Sequence, residues 1–176
     1  MMLSIVTLLP ILAALVVWFA PQSVSKPLSL AASIVIFAVS VPLWFGFDPA
    51  GAEYQFVEVC EWIPAWGVNW RLGMDGVSLL LVLLTTALTP LILLSAFSGV
   101  TTGYRGYAAL MLALEGFMIG TFLSLDTFLF YVFWELVLLP MYFLIGIWGG
   151  ERRIYAAVKL FIYTVAGSLL MLVALI

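Results

Sequence analysis

The sequence contains no histidine and a single cysteine, Cys60. The first absence removes the commonest general base, zinc ligand and haem ligand. The second removes an internal disulfide and any thiolate cluster for zinc or iron–sulfur, and the lone Cys60 in a loop reads as a bystander. The chain itself is therefore expected to carry no cofactor. Charge is equally scarce: 9% of the 176 residues are charged, where a soluble domain has about 25%. Six basic residues against nine acidic ones leave a net charge of −3 and no positive footprint for a nucleic acid. Disorder is excluded by the opposite extreme, 66% hydrophobic residues. So few polar side chains cannot cover a surface against water, and the implied solvent is a lipid bilayer.

Six apolar runs are long enough to cross one, a crossing needing about 20 residues at about 1.5 Å each. They are Met2–Ala20, Leu28–Phe47, Val77–Phe97, Tyr107–Ser124, Thr127–Gly149 and Ile154–Ile176. The first lacks the basic flank and small-residue cleavage site of a signal peptide and reads as a retained helix. The chain divides into two helices over 1–47, a loop over 48–76 and four helices over 77–176. Lys26, Arg105, Arg152 and Arg153 fall in the first, third and fifth loops, and the positive-inside rule puts those loops in the cytoplasm. The N-terminus is then extracytoplasmic, as is the long second loop with Arg71 and four acids, Asp48, Glu53, Glu58 and Glu61. That loop alternates Val68, Trp70 and Leu72 with Asn69 and Arg71, and residues 54–59 repeat the pattern more weakly. A small hairpin at 54–73 on the outer surface, with Trp62, Trp66 and Trp70 at headgroup level, competes with an irregular aromatic-anchored loop. The last span runs to Ile176 without a polar flank, which reads as a fragment or one piece of a larger membrane unit.

Ionisable groups at membrane depth cost about 2.5–3.5 kcal/mol each by insertion scales. Glu115, Glu135 and Lys159 are the three. Glu135 lies about 12 Å from the outer end of its helix, too deep for its short side chain to reach water. A carboxyl there loses hydration of its charged form and can hold a proton near neutral pH. Pro140 frees the carbonyl of Leu136 beside it, and Tyr131 shares its helical face. The alternative is a Glu that only bonds a neighbouring helix. Glu115 is expected at similar depth and opens Glu115-Gly116-x-x-x-Gly120, a small-xxx-small spacing for close helix approach. It is either a relay member or a packing residue. Lys159, about 8 Å from the cytoplasmic end, either snorkels to that surface or takes part in relay or coupling. Asp75 and Asp126 each precede an apolar run and read as N-caps, while Arg152 and Arg153 read as topology-setting charges.

The run from Leu125-Asp126 through Phe128-Leu-Phe-Tyr-Val-Phe-Trp-Glu135 to Pro140 and Trp148-Gly-Gly is distinctive. It resembles the fifth transmembrane helix of the antiporter-like, ND-four-type chain M family of NADH:quinone oxidoreductase, respiratory complex I. Arg153-Ile-Tyr-Ala-Ala-Val-Lys159 resembles the start of that family's sixth helix, and Leu72-Gly-Met-Asp75-Gly-Val-Ser78 the entry to its third. The resemblance implies an all-α polytopic membrane protein, of which these six helices are the N-terminal part of a roughly fourteen-helix antiporter-like fold. Its two inverted five-helix repeats each contain a broken helix. The resemblance also implies that Glu135 is the family's central glutamate, Lys159 its sixth-helix lysine and Glu115 its frequent fourth-helix acid. The lysines of the family's seventh and eighth helices have no counterpart in these residues, so this segment is not expected to pump protons alone.

By the same resemblance, NADH, FMN, iron–sulfur clusters and quinone belong to the rest of a complex in a bacterial inner membrane. The partners are the other membrane-arm subunits, the lipid and the remaining helices of the fold. A lysine moving relative to Glu135 would change the proton affinity of each. Two alternatives stay open: a paralogous subunit of a multi-subunit cation/proton antiporter or membrane-bound hydrogenase, and a structural membrane spacer. An independent channel fits poorly, because six spans ending in mid-helix lack a second half.

Overall fold

A computed structural model describes residues 1–175, so the Ile176 end of the sixth expected span lies outside the described residues. The six apolar runs form six helices: α1 Met2–Phe19, α2 Ser25–Gly46, α3 Gly76–Gly99, α4 Tyr104–Leu123, α5 Thr127–Trp148 and α6 Arg153–Leu175. All six are long and apolar enough to cross a bilayer. Helices α2 and α4 each begin three residues earlier than hydrophobicity alone suggests, at Ser25 and Tyr104. Polar residues can occupy a first turn at the membrane surface; apolar periodicity does not register them. Pro10, Pro42, Pro90 and Pro140 lie inside α1, α2, α3 and α5 without ending them.

Two helix starts follow local rules. The Asp75 side chain accepts from Ser78 N while Ser78 Oγ accepts from Asp75 N, a reciprocal capping box on α3. Asp126 caps α5 by accepting from the amides of Phe128 and Leu129. Helix α1 has no such residue, since Met1 at its N-cap position supplies no side-chain bond.

The long connection is a hairpin. Strand β1, Gln55–Ile63, runs antiparallel to β2, Val68–Met74, through a 3₁₀ turn at Pro64–Trp66. Gly67, at φ 67°, closes the turn in the left-handed region, which an L side chain rarely adopts. Strand β1 continues four residues past the alternating stretch that ends at Val59. A register shift between Gln55 and Glu58 coincides with Phe56 at φ 54°, a β-bulge that bends the strand. The bulge brings the Phe56 ring to the end of α2, where a Cβ on Gly46 would lie 3.1 Å from Cζ.

The hairpin does not simply lie on the surface. Leu72 and Met74 are buried in a cluster with Leu3, Leu43, Leu79, Leu123 and Leu129, and Val68 is buried as well. Trp62 and Trp66 are exposed and edge against Phe128. Trp70 turns toward the bundle, packs 5.7 Å from the Phe133 ring and donates from Nε1 to Ser4 Oγ, in the first turn of α1, at 3.0 Å. Alternation along β2 requires this, because Trp70 shares a face with Val68 and Leu72.

Helix α4 is the hub. It packs on α1, α2, α3 and α5, while α6 packs chiefly on α5. A second apolar cluster, including Val17, Ile36, Leu93, Tyr104, Ala108 and Leu112, fills the opposite end of the bundle. Between the two clusters lies a polar layer: Thr7, Ser40, Thr86, Thr89 and Glu115 are all buried. Most of these hydroxyls are satisfied locally. Thr7 and Thr89 donate to carbonyls one turn earlier, and Ser40 shares a 2.8 Å bond with Thr86.

Candidate functional site

Glu115 is 2% exposed, and neither carboxyl oxygen has a hydrogen-bond partner. It sits midway along α4, between Leu112 of one cluster and Ile119 of the other. Its side chain lines a cavity of about 290 Å³ between α3 and α4, together with Thr85, Thr89, Leu88 and Met111. The Thr89 hydroxyl is beside the carboxyl, but its proton is directed to the Thr85 carbonyl at 3.0 Å. A buried carboxyl without a donor is costly whether neutral or charged, so such a group calls for a water, a proton or a moving partner.

The glycines next to Glu115 work separately. A Cβ on Gly116 would lie 3.1 Å from the Thr7 carbonyl of α1 and closer still to Ile11. A Cβ on Gly120 would overlap the Phe133 ring of α5. The small-xxx-small spacing thus serves two neighbours rather than one, because a four-residue step on a helix also rotates by about 40°.

Glu135 is half-buried on α5, and its Oε1 is buried without a hydrogen-bond partner. Tyr131, one turn earlier, is near both Glu135 and Ser168 of α6. By helical rise, Glu135 is about 12 Å from the hairpin end of α5, and Ser168 is about 22 Å along α6 from the opposite end. With α5 about 33 Å long, the two depths coincide. The structure therefore gives the two glutamates different neighbours: Glu115 faces α3, and Glu135 stands with Tyr131 near α6. Lys159 is exposed, about 9 Å from the basic end. Its ammonium lies 5.7 Å from the ring centres of both Tyr155 and Tyr163, one turn either side. It is paired with no acid among the described residues. No group of three His, Cys, Asp or Glu there is placed to hold a metal ion.

One polar residue escaped sequence reasoning. Glu58 of β1 accepts from the Leu3 amide at 2.8 Å, the Ser4 amide at 3.1 Å and the Ser4 hydroxyl at 2.5 Å. It also pairs with the N-terminal amine at 2.7 Å. It caps α1 from 54 residues away. Burial pushes its pKa up, but the amine, the Ser4 hydroxyl and the two amides outweigh that and hold the carboxyl below its ordinary value. The readable signal was a deficit: the start of α1 has no cap of its own, so a donor-rich helix end needed an acceptor from elsewhere.

These features can be set beside known proteins. A family model described as NADH:quinone oxidoreductase/Mrp antiporter, TM, matches residues 124–176, the stretch that carries Glu135 and Lys159. Subunit M of NADH-quinone oxidoreductase from Rhodobacter capsulatus is 48% identical over 99% of this chain and 35% of its own length. Chain 4 of the NADH-ubiquinone oxidoreductase of Arabidopsis thaliana is 42% identical over 99% of this chain and 36% of its own. Over nearly its whole length the chain is similar to subunit M of NADH:quinone oxidoreductases. It spans about a third of the length of these relatives. A chain of respiratory complex I from Thermus thermophilus with bound NADH superposes with a TM-score of 0.82, at 30% identity, over 99% of this chain and 35% of that one. A chain of the Mrp complex from Dietzia sp. has a TM-score of 0.84 over 99% of this chain and 19% of that one, and at 23% identity the likeness is of fold. The fold is accordingly that of a partial antiporter-like subunit, all-α and polytopic in the membrane.

Proposed function

We propose that this chain is part of the membrane arm of a proton-translocating NADH:quinone oxidoreductase and that Glu135 carries the proton. Supporting the role is an unpartnered buried oxygen on Glu135 at membrane depth, beside Tyr131 and level with Ser168. A carboxyl so placed releases its proton when a cation approaches and regains it when the cation withdraws. Moving one charge against 100 mV costs about 2.3 kcal/mol. A two-unit change in proton affinity is worth about 2.7 kcal/mol, so a modest charge displacement is sufficient. Glu115 and Lys159 take relay and coupling roles in this reading, Glu115 at a depth similar to Glu135 and Lys159 nearer the basic end. NADH oxidation, FMN, iron–sulfur clusters and quinone belong to other subunits of an assembly in the bacterial inner membrane. The N-terminus is placed on the extracytoplasmic side, with Lys26, Arg105, Arg152 and Arg153 at the cytoplasmic one.

The fold likeness to a chain of the Mrp complex supports a second reading, a subunit of a multi-subunit cation/proton antiporter. The test is Glu135→Gln in the full-length chain within its assembly, with incorporation verified by blot. NADH-driven proton uptake and quinone reduction are measured together in inverted vesicles. Loss of both from an assembled complex is expected. Retention of both reduces Glu135 to a packing residue, and an assembly without NADH activity supports the antiporter reading.

A further inference from the structure

A further cavity lies away from both glutamates. It is a groove of about 480 Å³ at the basic end of the bundle, where α1 ends, α4 begins and α5 ends. Gly106 of α4 forms its floor, with Trp18 and Trp148 on either side. A Cβ on Gly106 would lie 3.6 Å from the Trp148 ring and 4.0 Å from that of Trp18. Trp148 is held in place: its Nε1 donates to the Thr102 carbonyl at 2.9 Å, and its ring meets Tyr107 edge-on. The wall is thus preformed. Deeper along the groove, Leu110, Phe143 and Ile147 present only hydrocarbon. At the rim are Gln22 and Arg105. Arg105 donates to the Ala20 carbonyl at 3.3 Å and has no ion pair among the described residues.

The groove therefore has two chemical zones in a fixed order. Its apolar length runs along the membrane-spanning helices, at the depth of the acyl chains. Its mouth carries two tryptophans and a guanidinium at the level where a bilayer keeps its headgroups. A guanidinium presents a fork of donors that matches phosphate geometry. Lys26, Arg152 and Arg153 lie at the same end of the bundle with Glu151 as the one acid, so the surrounding surface attracts anionic headgroups too.

We propose that this groove is a binding site for an anionic phospholipid, with the phosphate on Arg105 and an acyl chain over Gly106 between Trp18 and Trp148. Nothing in this proposal depends on the proton path. It is tested on the full-length chain in its purified assembly, reconstituted in nanodiscs. Trace phosphatidylglycerol or phosphatidylcholine with a photoactivatable acyl chain is added, and adducts are mapped by mass spectrometry. Phosphatidylglycerol is expected to label peptides containing Trp18, Phe143 or Ile147 several-fold more than phosphatidylcholine. Arg105→Gln, which leaves the packing alone, should bring the two lipids to the same level, whereas Lys26→Gln should not. Gly106→Leu, which fills the floor, should reduce labelling by both. Equal labelling by the two lipids in the unaltered protein overturns the proposal, as does indifference to Arg105→Gln. Protein–protein crosslinks at the same residues would show a neighbouring subunit in the groove, and also overturn it.

Discussion

Removing the Glu58 carboxylate should loosen the hairpin end of α1 without touching the middle of the membrane. Glu58 is 11% exposed and accepts from two amides, a hydroxyl and an amine. A helix cap is worth about 1 kcal/mol, and a hydrogen bond to a charged group about 1.5–3 kcal/mol. The bonds share one carboxylate and are not additive, so Glu58→Gln should cost about 2 kcal/mol of local stability. At 1.4 kcal/mol per decade, that is roughly a 30-fold faster hydrogen exchange of the Leu3 and Ser4 amides. Amides in the middle of α4 should be unchanged. A cycle with Ser4→Ala isolates the coupling, expected at about 1.5–3 kcal/mol. The pH dependence has a definite sign. Because the folded pKa of Glu58 is held below its ordinary value, its contribution is complete above about pH 4.3, the ordinary Glu value. It fades as pH falls through the lower folded value. Glu58→Gln should abolish that acid-side loosening. If the Leu3 and Ser4 amides exchange at the same rate in both proteins at neutral pH, the clamp contributes nothing and the reasoning fails.

Three further outcomes follow from the packing and caps. Gly120→Ala should destabilise the fold by about 1–3 kcal/mol through overlap with Phe133, read as a lower thermal midpoint in detergent, with partial rescue by Phe133→Leu. Asp126→Ala removes the α5 cap and the acceptor for the Asn69 amide, at 3.2 Å; a loss of about 1 kcal/mol should appear as easier proteolysis of the hairpin tip. The Asp75 carboxyl is held below its ordinary value by the Ser78 side chain and amide. Its cap on α3 should therefore persist from neutrality through about pH 3.9 and weaken only as pH falls further. Exchange of the Ser78 amide is the check, and a transition above pH 5 would contradict it.

The parts of this fold that were legible in the sequence are those governed by near neighbours. Hydrophobic length marked the helices, and Asp75 and Asp126 were readable as caps because their partners are two or three residues away. Period-2 alternation marked the stretch that forms β2, with a hairpin and an irregular loop both left open. What could not be read depends on distant partners. Glu58 needs Leu3 and Ser4, more than fifty residues upstream. The Trp70 bond to Ser4 likewise joins residues far apart in the sequence. The face to which Glu115 points was hidden for another reason. A helix apolar all round has little amphipathic signal, so only the glycine contacts of Gly116 and Gly120 reveal which sides α1 and α5 occupy.

The hairpin also limits how the helices can move. Glu58 ties it to α1, Arg71 accepts the Leu125 amide at 2.9 Å, and Asn69 donates to Asp126 at the start of α5. Helices α1 and α5 are therefore pinned to one plate at the same height. Sliding α5 along its axis would break those bonds, whereas tilting it about its pinned end would not. A tilt of about 5° carries Glu135, about 12 Å from the pivot, by about 1 Å, and the far end of α5 by about 3 Å. About that pinned end, a given rotation displaces the far end of α5 about threefold further than it displaces Glu135, and the Trp148 bond to the Thr102 carbonyl restrains that far end.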